Sequence, residues 1–375
     1  MATTNRTNRT NRTNRTNRTN RTNRTDQDDP ELAGFGDGSS MGLSEALQSA
    51  MLAFNGPDML VTPAGLGRPP EGDYYRRLNS RHRGHLIVSA LMETVKVTVP
   101  AGGSPHNHMA RLSTGAALRP VLKLELNTDP AMTLAFWQGQ IADLRAKKWN
   151  RDDRLAEIVL QQTDIHSFLG LALPVAADTH PWLTVLLDAV QEIAFRVATQ
   201  MKDHFRMPRP DMMVGDLGPV VRTPSHSAFP SGHATEAFAA AAVLGAFFPD
   251  RAVLLRQMAT RIAVNRAFAG LHFPVDHHAG AMIGDMLADE ILRRLYGSGS
   301  SIALAAPGFA EIAFNAGATP SVAGHGDSVE AYANGTSIMP MTPAAIPAPN
   351  YVEGAGILAW LARKVWSEVN GGSAP

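Results

Sequence analysis

The chain has 375 residues, enough for one large helical core or two packed bundles, and 44% of them are apolar, as in an ordinary globular protein. It holds no cysteine, which excludes a disulfide framework, a thiolate nucleophile and a cysteine-ligated metal. Its 34 basic and 34 acidic residues balance, but seven of the arginines lie in tandem Asn-Arg-Thr repeats at 5–25. The remainder keeps 27 basic against 34 acidic residues, so a generally cationic, nucleic-acid-binding body is excluded.

Residues 1–40 read as a disordered tail. The repeats are formally glycosylation sequons, but no apolar leader precedes them and their uniformity marks simple-sequence expansion. Residues 41–375 read as one mostly helical domain. A short helix is predicted at 44–54, a Pro/Gly-rich loop at 56–72 and a basic cluster at 74–85. "VKVTVP" (95–100) is the clearest strand-like run. His106 and His108 form an H-x-H pair that reads as a loop with two exposed histidines.

From there the pattern is helix upon helix. Asp129 followed by Pro130 is a start signal for a helix to about 148. A second helix covers 152–162. Thr179, with Pro181 just inside, opens a long one. Its apolar stripe is Leu183, Leu186, Leu187, Val190, Ile193, Ala194, Val197 and Met201, at helical spacing. It ends before Pro208 and Pro210, which cannot continue it. Three more helices are predicted at 234–248, 251–269 and 276–296, with Asp250 capping the middle one and Gly297 closing the last. Residues 298–350 read as irregular, and 357–369 as a terminal amphipathic helix. The fold class is mainly α, a helical bundle.

The charge-free stretch 237–249 falls short of the roughly 18–20 residues a membrane span needs. The uncharged stretch 331–352 is broken by four prolines. With no span and no signal peptide visible, the expected location is the cytoplasm, or outside by an unrecognised export route, with no membrane partner.

Three segments concentrate unusual chemistry. "KDHFRMPRP" puts Lys202 near a helix end and Arg209 in the proline-locked turn after it. "PSGH" ends in Ser231, Gly232 and His233 at a helix start. "NRAFAGLHFPVD" holds Arg266, His272 and Asp276. Three cations at helix ends within an acidic body suit a tetrahedral or trigonal oxyanion of charge −2 to −3. Guanidinium groups hold two oxygens each, and lysine acts as a point charge. Ser231 can donate its hydroxyl, Gly232 lets backbone N–H approach, and the helix dipole adds positive charge. One histidine can bond to the anion while the other moves a proton. Asp276, four residues after His272, can accept from that ring's other nitrogen and fix its tautomer.

This pattern, K-x6-R-P, then P-S-G-H, then R-x5-H-x3-D, resembles the type 2 phosphatidic acid phosphatase superfamily. That superfamily joins bacterial acid phosphatases, lipid phosphatases and vanadium-dependent haloperoxidases. Lys202, Arg209, Ser231, Gly232, His233, Arg266, His272 and Asp276 all match, strictly over about 75 residues and more loosely over 180–296. One position departs: Asn265 stands where the family often has serine, and asparagine can still donate a hydrogen bond.

The resemblance implies a helical bundle of the haloperoxidase and acid phosphatase type, with 41–375 as its catalytic domain. Long flanks on both sides of the motifs look more like the haloperoxidase branch. That branch implies a vanadate cofactor with His272 as the ligand to vanadium. Lys202, Arg209, Ser231, Gly232 and Arg266 would bind its oxygens, and His233 would manage protons. Hydrogen peroxide, a halide and a small organic acceptor would be its partners, and a homo-oligomer is compatible. His226, seven residues before His233, is similar to a second histidine of bromide-using members, so bromide or iodide is expected over chloride. The alternative is a soluble acid phosphatase, with His272 attacking phosphorus and His233 protonating the leaving alcohol. A non-catalytic oxyanion-binding protein is the third reading. His277 and His278, which follow Asp276, and the aromatic Phe205 and Phe229 read as packing residues.

Overall fold

The computed structural model of the chain describes residues 69–101, 106–297, 310–314 and 354–371, with Ile346, Pro349 and Val352. The expected tail at 1–40 and helix at 44–54 lie outside the described residues. In chain order the elements are α1 (Glu71–Arg77), α2 (Ser80–Met92), β1 (Val95–Thr98), β2 (Asn107–Thr114), β3 (Arg119–Asn127), α3 (Pro130–Lys148), α4 (Leu155–Leu160), α5 (Ile165–Gly170), α6 (Pro181–Phe205), α7 (Pro210–Met213), α8 (Gly232–Phe247), α9 (Ala252–Phe268), α10 (Pro274–Tyr296), β4 (Ala310–Phe314) and α11 (Gly356–Asn370). The protein is mainly α, as its periodicity predicts.

The sheet is larger than the one run read at 95–100. β1, β2 and β3 pair antiparallel in order, and β4 joins β3 in parallel. Leu122, Leu124 and Leu126 alternate with Lys123 and Glu125, and Leu124 and Leu122 pair with Ala110 and Leu112. These five apolar side chains are fully buried, so one face of the ladder joins the core. The expected loop holds for His106, which is exposed in a turn, but not for its partner. His108 lies within β2, its Nε2 3.4 Å from Thr128 Oγ1.

α6 follows its apolar stripe, and all eight predicted stripe residues are buried. His180, not Thr179, is its N-cap, and Arg206 closes it in the left-handed conformation ahead of the two prolines. Its first turn is held from the far end of the chain: the Glu368 carboxylate of α11 accepts from Trp182 N at 2.8 Å and Leu183 N at 2.9 Å. A carboxylate there satisfies orphan N–H groups and complements the helix dipole.

Several boundaries shift for local reasons. The helix read at 152–162 is a 3₁₀ turn, Asp152–Arg154, followed by α4, and the short α5 comes after it. Asp250 sits in the 3₁₀ turn Pro249–Arg251, so Arg251 occupies the N-cap of α9. α10 begins at Pro274, which places Asp276 inside its first turn, and Gly297 closes it at φ 86°. Phe205 and Phe229 pack edge-to-face at 4.7 Å in the core, as expected.

α8 is the central helix, with every residue from Gly232 to Ala246 buried. It runs against α10 at very close range. A Cβ on Gly280 would lie 2.5 Å from Ser231 O, and one on Gly284 would lie 2.6 Å from Thr235 O. Only glycine admits this approach. The contact continues at the helix starts, where Ser231 N donates to Asp276 O at 2.9 Å. Paired arginines tie α9 to its neighbours: Arg256 meets Asp285 of α10 at 3.1 and 3.0 Å, and Arg261 meets Glu157 of α4 at 2.7 and 2.6 Å. The beginnings of α8 and α10 and the ends of α6 and α9 thus converge. Among the described residues, no helix is long and apolar enough to cross a membrane.

Candidate active site

The convergence gathers the three sequence segments. Lys202, in the last turn of α6, is buried, and its Nζ donates to Ser227 O at 2.7 Å and Ala228 O at 3.2 Å. Arg209, the N-cap of α7, donates from Nε to His226 O at 3.0 Å and from Nη1 to Leu271 O at 2.8 Å. The same Nη1 lies 2.8 Å from His272 Nε2, and Nη2 lies 3.0 Å from His226 Nδ1.

Arginine can only donate, so these contacts assign tautomers. His272 Nε2 must accept, which leaves Nδ1 carrying the proton and donating to Asp276 Oδ2 at 3.0 Å. Phe273 N donates to the same oxygen at 2.9 Å, and this places Asp276 at the third position of the α10 N-terminus. The expected His–Asp pairing is present, and its local cause is the helix start at Pro274. His226 Nδ1 lies 3.0 Å from Arg209 Nη2 and 3.2 Å from Ser227 O, so it faces a donor and an acceptor at once. The half-buried ring is tied to the pocket's arginine rather than loose in solvent.

His233 stands in the first turn of α8. Its Nε2 is 3.1 Å from Gln161 O, and a carbonyl only accepts, so Nε2–H donates and Nδ1 is the nitrogen whose protonation can change. Ser231 is the N-cap, its Oγ accepting from Ala234 N at 3.4 Å. Arg266, near the end of α9, is fully buried. Its Nη2 donates to Ile158 O at 2.9 Å and approaches Gln161 Oε1 at 3.4 Å. Its Nε and Nη1 are buried without a hydrogen-bond partner among the described residues.

Gln161 and its surroundings are what sequence reasoning missed. Through one buried residue, His233, Arg266 and Asn265 are joined, the last by Nδ2 donating to Gln161 Oε1 at 3.0 Å. Asn265 does donate, as expected, but to Gln161 and to Glu157 Oε2 at 2.9 Å. Contacts spanning 104 positions leave no local signal. Glu236, one turn after His233, is also buried and accepts from Gln191 Nε2 at 2.9 Å.

The electrostatics have one sign. Burial pushes Lys202 well below the usual lysine range, and the Arg209 charge adds to this against Asp276 and Glu236. Burial, then nearby cations, pushes His233 and His272 well below the ordinary imidazole value, with Arg266 the leading cation for His233 and Arg209 for His272. Arg266 is pushed down by burial to about 9. Burial raises Asp276 to about 7, against the Phe273 N–H and the Lys202 and Arg209 charges. Three buried cations meet two buried carboxylates, Asp276 and Glu236, so the pocket carries an excess of positive charge that an anion would relieve.

Known proteins place these residues in context. Residues 182–296, from the start of α6 to the end of α10, match the family profile described as the PAP2 superfamily. Among solved structures, the chain is similar to the first transmembrane PAP2 type phosphatidylglycerolphosphate phosphatase from Bacillus subtilis. The identity is 22%, over 41% of this chain and 83% of that one, with a TM-score of 0.33. No curated protein matches the chain.

Proposed function

We propose that the chain is a phosphohydrolase that cleaves phosphate monoesters through a phosphohistidine on His272. One observation carries the reading: the Nε–H and Nη1–H of Arg266, donors on two different edges of one guanidinium, are buried and unpartnered among the described residues, in a pocket shared with Lys202, Arg209 and His233. Buried charged donors are costly to leave unmet, and phosphoryl oxygens would satisfy them. The PAP2 superfamily match over this segment supports it.

The chemistry follows from the tautomers. His272 Nε2 attacks phosphorus once Arg209 Nη1–H turns from that nitrogen to a phosphoryl oxygen. The N–P bond forms and the P–O bond to the alcohol breaks. His233, protonated at Nδ1 in the presence of the dianion, gives that proton to the leaving oxygen. Asp276 takes the charge that develops on His272 through Nδ1–H. Water then attacks phosphorus, its proton passes to His233 Nδ1, and the N–P bond breaks to release phosphate. Lys202, Arg209 and Arg266 hold the equatorial oxygens, where transition-state charge accumulates.

A second reading is favoured by His226, which contacts Arg209 and resembles the extra histidine of bromide-using haloperoxidases. The donor set also fits vanadate. Lys202, Arg209, Arg266, Ser231 and Gly232 would hold its oxygens, and His272 Nε2 would be its protein ligand. Vanadate bound there would supply peroxide activation and halide oxidation, while His233 and His226 would hold and move protons at the pocket wall.

The test is two assays on the purified full chain. The phosphohydrolase reading expects phosphate release from nitrophenyl phosphate, inhibited by added vanadate. Bromination of a phenolic dye that needs peroxide, bromide and vanadate, with no phosphate release, would overturn it in favour of the second.

A further inference from the structure

The pocket has a second unmatched group beside Arg266. His277, on the first turns of α10, is 1% exposed, and both its ring nitrogens are buried without a partner among the described residues. Its ring centre lies 5.6 Å from that of His272, tilted by 53°. The charges acting on it are Lys147 of α3 and Arg266 of α9, both cations, and with burial they push the ring down to about 3. Burial and these cations thus favour the neutral imidazole, which carries one N–H donor and one acceptor.

A buried imidazole with neither nitrogen satisfied is costly. Cations around it disfavour a proton on it and favour an anion next to it. The unpaired donors of Arg266 are part of the same environment. A neutral imidazole that donates to a developing oxyanion is a known chemical solution, and it adds a donor without adding proton competition.

We propose that His277 is a binding residue of the oxyanion pocket, its neutral ring donating an N–H to a phosphoryl oxygen on the Arg266 side. This rests on the oxyanion-pocket reading and adds a donor to it. It also separates His277 from His278, its equally buried neighbour.

The test measures binding of inorganic phosphate and orthovanadate to the full chain by calorimetry, for wild type, His277→Phe and His277→Gln. Phe keeps the ring volume and loses the donor, while Gln keeps a donor. The expected result is a loss of affinity of about tenfold to a hundredfold in His277→Phe, the scale of one hydrogen bond to a charged group, with most of it retained in His277→Gln. Equal affinity in wild type and a folded His277→Phe overturns the proposal and leaves the pocket reading intact. No binding of either anion to wild type overturns both. If His277→Phe does not fold, the wild type decides. The ring nitrogens of His277 should shift in ¹⁵N-edited spectra on adding phosphate, and an unmoved resonance overturns the proposal.

Discussion

His272 and Asp276 meet across the turn that starts α10: Nδ1 donates to Oδ2 at 3.0 Å, and both side chains are buried. The pairing leaves Nε2 as the only nitrogen able to bond to a substrate, and Arg209 covers it. In the proposed reaction, the nucleophile, its orienting carboxylate and the guard on its lone pair are thus set by three residues from two segments.

Asp276→Asn keeps an oxygen for both N–H donors but removes the charge. Turnover of nitrophenyl phosphate should fall about 10–100-fold with KM little changed, the scale of losing a partner that orients and charges a histidine. Unchanged kcat would remove the pair from the mechanism.

The same variant has a stability signature. The folded-state value of Asp276 is raised to about 7 from an ordinary 3.8. Between these values the unfolded chain has lost the proton and the folded one keeps it, so this residue costs stability as pH rises from 4 to 7. Asp276→Asn removes that slope. Its melting temperature relative to wild type should climb across this window, and a flat difference would contradict the raised value. His233 and His272 act the other way: their lowered values cost stability as pH falls below about 6.5.

Oxyanion binding should take up protons. An added dianion raises the proton affinity of every group in the pocket, His233 foremost, and all are now held low except Asp276. Calorimetry of phosphate binding at pH 7 in two buffers of different ionisation enthalpy should show net uptake beyond that of free phosphate. Net release would contradict the assigned protonation states.

Gln161→Glu should weaken phosphate binding more than Gln161→Met does. The new carboxylate would face Arg266 and compete with the substrate for it, whereas Met removes only the hydrogen bonds. Equal effects of the two would mean that Gln161 matters through packing alone.

Gly280→Ala would put a methyl 2.5 Å from Ser231 O, a backbone atom that cannot step aside. A loss of about 1–3 kcal/mol is expected from overpacking. Activity should fall as well, because the contact that brings Ser231 and His233 to Asp276 must open. Wild-type thermal stability and activity would contradict the close approach.

The site was far more legible than its setting. Proline and glycine mark the ends of α6, α8, α9 and α10, so Lys202, Arg209, Ser231, His233 and Arg266 could be placed at helix termini from local signals alone. The His–Asp spacing is one helical turn and reads directly. The sheet was legible too, in the alternation of Leu122, Leu124 and Leu126, but short strands beside long helical periodicity are easily passed over. Gln161 and Glu236 were not legible as neighbours of the pocket. Their roles come from contacts between helices distant in sequence, and nothing in their neighbours announces them.

The central claim is that His272 Nε2 bonds to phosphorus. Rapid acid-free quenching of the full chain with ³²P-labelled phosphate monoester, followed by peptide mapping, tests it. The account predicts an acid-labile, base-stable label on the peptide carrying His272, absent in His272→Gln. Phosphate release at full rate with no labelled peptide, or with the label on His233, would contradict it.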